Sequence, residues 1–291
     1  MASTDSPFAR PEFLTRPVDY GAFRAHAIGL TGSRGVLGGI LTARLQQHGI
    51  AVHAFQGNIN DEAALSAWFS TQRLSHFFHF AALVPVTQVE GNPLLAYQTN
   101  VIGTFNICRQ LQLTQPGCWL FHCSSSHVYQ ASATPLHISE LGPLQPQTYY
   151  GVTKLAAERV VQELLGELRA SYCIGRVFSF SHRTQAEPYL VPTLRRRIAG
   201  LTDGATLEVL NPSAVRDMQD AETVIDSILQ LAQRHATGVV NIGCGHGMSV
   251  QEIALAVARQ LGKSITVTGT DRDAAGALIA DTQRLQELLG A

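Results

Sequence analysis

Near the start of the chain, Thr31-Gly32-Ser33-Arg34-Gly35-Val36-Leu37-Gly38 stands between a short apolar run and a helical pattern. Glycines at this spacing let a strand turn tightly into a helix. The free N–H groups and dipole of that helix start attract an anion such as a dinucleotide pyrophosphate. A strand–turn–helix of this kind commits a chain to a βαβ beginning, and the residues that follow keep the alternation. Apolar runs predict strands near Ala25–Leu30, Ile50–Phe55, His76–Ala81, Trp119–Ser124 and Tyr172–Phe178. Arg24 and His26 make the first strand less apolar than a strand covered on both faces. Between them the spacing predicts a helix from Gly35 that stops at Gly49, one after Asp61, one over roughly 93–113 and one over roughly 150–168, all crossing over between strands. The expected fold is therefore α/β, a doubly wound parallel sheet.

Beyond Phe180 the order becomes mixed. A helix carries Arg195, Arg196 and Arg197, and a strand is expected at Leu207–Leu210. A helix from about Ala221, a strand Val239–Ile242 and a helix opened by Ser249 and Glu252 in a capping box follow. The expected organisation is an N-terminal arm over 1–22, a dinucleotide-binding domain over 23–180, and a smaller α/β substrate-binding part over 181–291 interleaved with the last strands of the sheet. A chain of 291 residues, 45% hydrophobic, can bury a core of that size. Its net charge of −1 argues against a surface that tracks nucleic-acid phosphates. No apolar run reaches the roughly 18 residues of a membrane span, and the proline- and charge-bearing start, a loose or docked arm, lacks the apolar centre of a secretory signal. Cys108, Cys118, Cys123, Cys173 and Cys244 form no C-x-x-C pair, which predicts buried reduced thiols and a cytoplasmic protein. His76, His79 and His122 have no ligand spacing, so no metal site is expected.

Tyr150-Gly151-Val152-Thr153-Lys154 places a phenol and an ammonium four residues apart, on one face of a helix. The cation is expected to draw the phenol pKa down toward working pH, letting Tyr150 exchange a proton with a substrate oxygen. Tyr149 has no lysine at that spacing and is expected to pack. Ser124-Ser125-Ser126-His127-Val128-Tyr129 follows the fourth strand, at the carboxyl edge where open α/β sheets bind ligands. The second strand ends Ala54-Phe55-Gln56-Gly57 without the carboxylate that usually holds the ribose 2′-hydroxyl of NAD. Arg34 can instead face a 2′-phosphate. The cofactor expectation is NADP(H) or NAD(H), leaning to NADP(H).

With these segments in order, the sequence resembles an extended short-chain dehydrogenase/reductase of the sugar-nucleotide epimerase/dehydratase group. Further supports are His79-Phe80-Ala81-Ala82, Asn100-Val101-Ile102-Gly103-Thr104, Arg176-Val177-Phe178-Ser179, Val215-Arg216-Asp217, Asn241-Ile242-Gly243 and Ala280-Asp281. The resemblance implies a Rossmann-type fold with Ser125 as catalytic hydroxyl, Tyr150 as acid/base and Lys154 as its partner, also reaching the cofactor. It implies that Gly32, Ser33, Arg34, Gly35, Val36, Leu37, Phe80, Ala81, Ala82, Leu83 and Asn100 lie along the cofactor, with Asn58 and Ile59 near the adenine and Phe178 near the nicotinamide. Arg216 matches a diphosphate-binding arginine, the alternative being a surface salt bridge with Asp217 or Asp220. Substrate contacts are expected from Ser126, His127, Ser179 and Arg216, with a merely structural His127 as the alternative. The Arg195–Arg197 run could line a diphosphate pocket or form a solvated face.

Departures narrow the chemistry. Dehydratases of this group place acids after the catalytic hydroxyl residue, whereas Ser126 and His127 stand there. Ser179 replaces a common asparagine, and Asn58 replaces a common aspartate. The stretch Ser181–Gln185 to Tyr189–Pro192, with Ala214–Met218, is similar to GDP-4-keto-6-deoxymannose reductases and their relatives. The resemblance thus implies an NAD(P)-dependent 4-ketoreductase of a nucleoside-diphosphate 4-keto-hexose. A 4-epimerase is the alternative, and a non-catalytic cofactor-binding scaffold a remote one. It also implies a homodimer packed through the helices carrying Tyr150 and Asn100.

Overall fold

The computed structural model describes residues 7–8, 10–166, 171–272 and 276–290. The first half runs β1 (Ile28–Thr31), α1 (Val36–Gln47), β2 (Val52–Phe55), α2 (Glu62–Ser70), β3 (His76–His79), α3 (Val86–Gly91), α4 (Pro93–Tyr97), a π-helical turn (Gln98–Ile102), α5 (Gly103–Thr114), β4 (Trp119–Ser125), β5 (His137–Ile138) and α6 (Tyr149–Gly166). The second runs β6 (Tyr172–Val177), β7 (Ser179–Ser181), α7 (Leu190–Ala199), β8 (Thr206–Leu210), β9 (Val215–Asp220), α8 (Ala221–Gln233), β10 (Gly238–Ile242), β11 (Gly247–Ser249), α9 (Val250–Gln260), β12 (Thr266–Thr270), β13 (Ala277–Ala280) and α10 (Gln283–Leu289).

The main sheet is parallel throughout, in the order β10-β6-β4-β3-β1-β2. Thr31 pairs with Phe55 on one side and His79 on the other, which aligns the carboxyl ends of three strands. After β1 the chain goes one way for β2 and the other way for β3, so a crevice opens beyond Thr31 at this reversal, the usual ligand position in open α/β sheets. Successive side chains point to opposite faces. Phe78 and Phe121 therefore meet Leu41 and Leu45 of α1, Ile228 of α8 and Leu285 of α10. Phe77, Leu120 and Ile174 meet Leu65 of α2, Ile107 of α5 and Val161 of α6 on the other side. The result is a doubly wound, three-layered body.

A second sheet, β11-β9-β13-β5 with β7 alongside β9, and a parallel β8–β12 pair make up the smaller region, packed on α7 and α9. β10 returns to the main sheet beside β6. Gly49 ends α1 with φ +72°, Asp61 caps α2 through Ala64 N, and Ser249 with Glu252 forms the capping box of α9.

Two expectations shift. β1 begins at Ile28, so Arg24 and His26 precede it, and the strand itself is buried along its whole length. The third helix, expected over roughly 93–113, starts at Pro93, where the Asn92 side chain caps α4, but widens at Gln98–Ile102 into the π turn before α5. The expected end of the fourth helix near Leu168 lies outside the described residues. The arm, from residue 7 onward where described, is docked: Phe8 and Leu14 are buried. Among the described residues no helix is long and apolar enough to cross a membrane. All five cysteines are free thiols, four buried and Cys123 half-buried.

Candidate active site

Gly32 adopts φ +77°, and a Cβ there would lie 2.6 Å from Ala81 N, so only glycine lets the loop after β1 cross so close to the chain leaving β3. A Cβ at Gly38 would collide with Gly32 O, so glycine is also what allows α1 to start against the turn. Gly35 is the N-cap of α1 and offers no side-chain cap, leaving the first-turn amides facing the loop. Thr31, Gly32, Ser33, Arg34, Phe55 and Gln56, together with Gly57, Ile59 and Ala81, line a cleft of about 100 Å³ beside this loop. Bare backbone, donor amides and a narrow cleft at the reversal of strand order fit a dinucleotide pyrophosphate and its ribose. Arg34 is exposed on the cleft wall, and Gln56 Nε2 donates to Ser33 Oγ at 3.0 Å. Asn58 lies outside the cleft lining with its Oδ1 accepting from Asn60 N, whereas Ile59 is buried within it.

Phe80 to Leu83 continue from β3 and are all half-buried. Asn100, on the π turn and 2% exposed, fixes their far end: its Oδ1 accepts from Leu83 N at 2.7 Å, and its Nδ2 donates to Leu83 O and to Thr153 Oγ1. Asn100 thus ties the residues after β3 to the first turn of α6.

Ser125, Tyr150 and Lys154 converge at the carboxyl edge, each buried. Gly151 is the local reason that they can. A Cβ at this position would collide with His127 O, so glycine lets α6 press onto the turn after β4. The Tyr150 hydroxyl is raised well above its ordinary range because burial disfavours the phenolate. The Cys123 thiol adds to that rise, and hydrogen bonding from Ser125 opposes it. This corrects the expectation that Lys154 draws the phenol down. Lys154 is itself buried, burial lowers its own pKa, and its charge does not figure among the influences on Tyr150. Tyr149 is also corrected, being 55% exposed rather than packed.

On the substrate side, Ser126 is buried and the His127 ring stands edge-on to Tyr150 at 5.6 Å between centroids. Burial and the charge of Arg216 push His127 down to about 4, so its imidazole is neutral at pH 7. Arg216 forms no salt bridge with Asp217 or Asp220 and donates instead to Val215 O and Gly276 O. Asp217 is fully buried, accepting from Cys244 N, Gly245 N and Ala280 N. Ser179 on β7 is half-buried beside Met218. Phe178 packs into a cluster with Tyr129 and Ile138. Arg195, Arg196 and Arg197 are exposed and engage Gln260, Glu187 and Glu208, the solvated-face alternative.

Sequence reasoning missed a buried polar network. Arg176 pairs bidentately with Glu158 and donates to Tyr129 Oη, which donates to Asn241 Oδ1, while Ser124 Oγ donates to Glu158. These residues lie in β4, α6, β6 and β10 and the turn after β4, so only the topology joins them. Thr31 Oγ1 and Thr104 Oγ1 likewise bond the two ring nitrogens of buried His79. Tyr189, at the N-cap of α7, lies within electrostatic reach of Tyr150. Among the described residues no group of three or more His, Cys, Asp or Glu side chains is disposed to hold a metal.

The family model described as GDP-mannose 4,6 dehydratase matches residues 31–287. A UDP-glucose 4-epimerase from Lactobacillus helveticus is 26% identical over 260 residues, covering 81% of this chain and 77% of its own. A GDP-6-deoxy-D-mannose reductase from Pseudomonas aeruginosa is 27% identical over 182 residues, covering 60% of this chain and 59% of its own. The structure of RMD from Pseudomonas aeruginosa complexed with NADPH superposes with TM-score 0.82 at 22% identity, covering 91% of this chain and 92% of that one, and shows a shared fold.

Proposed function

Because the chain belongs to the GDP-mannose 4,6 dehydratase family, within the extended short-chain dehydrogenase/reductases that act on sugar nucleotides, we propose that it is a 4-ketoreductase of a nucleoside-diphosphate 4-keto-hexose. At the coarser level it is an NAD(P)-dependent sugar-nucleotide enzyme of the epimerase and reductase type. The observation that carries the finer reading is the convergence of Ser125, Tyr150 and Lys154 at the sheet edge beside the Gly32–Gly38 loop. A phenol that burial keeps protonated suits giving a proton to a carbonyl oxygen. Ser125 hydrogen-bonds the same oxygen. Lys154, one turn along on the same helix face, reaches toward the cofactor ribose. Residues 32–37, 80–83 and Asn100 would hold a nicotinamide dinucleotide, with Asn58 and Ile59 near its adenine and Phe178 near its nicotinamide, and when bound it would supply the hydride at the sugar carbon. Ser126, His127, Ser179 and Arg216 contact the substrate, with Arg216 on the diphosphate. Dehydration is disfavoured, because Ser126 and His127 offer no carboxylic acid to expel a hydroxyl.

The lean to NADP(H) rests on exposed Arg34 and on a β2 end without a carboxylate. We retain the division into an arm over 1–22, a dinucleotide-binding domain over 23–180 and a smaller part over 181–291 interleaved with the main sheet, to which β10 returns, while β5 joins the second sheet. A homodimer is supported by Leu94, Leu95, Tyr97, Ile102, Tyr149 and Val152, apolar side chains exposed along α4, the π turn and α6. Five free thiols suit a reducing cytoplasm.

The second reading, 4-epimerisation, is favoured by the likeness to a UDP-glucose 4-epimerase. A non-catalytic scaffold has less support, since serine, tyrosine and lysine are all present and adjacent. The test is a panel of UDP-, GDP- and dTDP-linked hexoses and 4-keto sugars followed by nicotinamide absorbance with each cofactor. Stoichiometric NADPH consumption with a 4-keto sugar supports the proposal. Interconversion of sugars with no net absorbance change would replace it with epimerisation, and no turnover at all with the scaffold.

A further inference from the structure

The segment before β1 lies ahead of the family match, yet it is built into both parts of the fold. Its later portion is anchored on the main body. Leu14, Phe13, Val18 and Tyr20 join the core beneath α1, α8 and α10, Gln230 Nε2 donates to Arg16 O at 3.0 Å, and Tyr20 stacks on His48 at 3.7 Å. Its first described residues reach the other part. Phe8 is buried in the apolar cluster that α7, β8, β9 and α9 form together.

Between these two ends a charged chain runs along the same route. Arg10 bonds Asp226 at 2.6 Å, Asp226 is shared with Arg44, Arg44 bonds Glu222, and Glu222 lies 3.6 Å from His182 Nε2. His182 opens the stretch that ends in Tyr189, the N-cap of α7. One short arm thus plugs the cluster around α7 with an aromatic side chain and steadies the stretch leading into that helix through shared carboxylates.

We propose that the arm is a positioning strap for the substrate side of the cleft: Phe8 holds the cluster around α7, and Arg10, through the shared carboxylates, holds residues 182–189 that lead into it. Phe8 and Arg10 touch neither cofactor nor substrate and act through α7 and His182. The strap's link to substrate binding rests on the function proposed above, whereas its mechanical part does not.

The experiment uses the full chain with Phe8→Ala and, separately, Arg10→Gln, the milder change should the first fold poorly. Hydrogen exchange is measured segment by segment, with dissociation constants for NADPH, UDP and GDP. The expected result is exchange about tenfold or more faster confined to 182–198, while α1 and α6 keep their protection. NADPH affinity stays within about twofold, and affinity for the preferred nucleoside diphosphate falls by about fivefold or more. Unchanged exchange in 182–198 in both variants, or acceleration spread evenly through the chain, would overturn the strap. If the unaltered protein binds neither UDP nor GDP, the sugar-nucleotide reading fails, and the exchange pattern still decides the strap.

Discussion

Lowering the pH from 7 to 5 should strip this fold of a large share of its stability, because it buries imidazoles that have no room to become charged. His76 and His79 are 1% and 2% exposed. Burial, with the charges of His235 and His26, pushes His76 from 6.5 to about 4, and burial with the charge of Lys154 pushes His79 to about 3. His122, equally buried, moves in the same direction for the same reasons. A depressed folded-state pKa means that the unfolded chain binds more protons between the two values. The stabilisation is therefore complete above about pH 6.5 and is lost progressively as the pH falls toward the folded values. At pH 5 the loss is about 2 kcal/mol per histidine, or about 4 kcal/mol for His76 and His79 together, against a total of about 5–15 kcal/mol for a typical domain. Urea unfolding at intervals across this window measures it directly. With His127, also depressed to about 4, the slope near pH 5.5 should correspond to uptake of about three to four protons on unfolding, and His76→Phe should lower it by about one. A stability independent of pH over this range, or a His76→Phe slope equal to that of the unaltered protein, would refute the reasoning.

Three further outcomes follow from the geometry. Gly38→Ala drives a methyl group into Gly32 O, and should weaken NADPH binding by about tenfold or more while costing about 1–3 kcal/mol of stability, measured by titration and urea unfolding. Glu158→Ala leaves Arg176 charged and unpaired in the core and should cost about 3–5 kcal/mol, whereas replacing both partners by apolar residues of similar volume should recover most of it. Arg34→Ser should weaken NADPH by several-fold and leave NADH unchanged, as read from the two dissociation constants. Equal losses for both cofactors would remove the 2′-phosphate role.

Much of this molecule is legible in the chain because the relevant patterns are local. Thr31–Gly38 announces its turn by glycine spacing, and the strand–helix alternation around it leads to the parallel sheet. Tyr150 and Lys154 declare themselves because four residues is one helical turn. Other features depend on relations that a local pattern does not hold. The π turn at 98–102 preserves the apolar spacing of an ordinary helix and only shifts its register, so one long helix is expected where three pieces exist. The direction of the Tyr150 shift depends on how deeply α6 presses on the turn after β4, which Gly151 governs through its lack of a side chain. The Glu158–Arg176–Tyr129–Asn241 network joins residues more than a hundred positions apart. Phe8 reads as part of a featureless arm until the cluster of α7, β8, β9 and α9 is seen to enclose it.

Reduction by this chain turns on Tyr150 delivering a proton at the carboxyl edge of the sheet, and one comparison tests this most directly: single-turnover NADPH oxidation with the best 4-keto sugar nucleotide, for the unaltered enzyme and Tyr150→Phe. Loss of the phenolic proton should slow that step by about 10²–10⁴-fold with NADPH affinity unchanged. A Tyr150→Phe enzyme that turns over at the unaltered rate would contradict it.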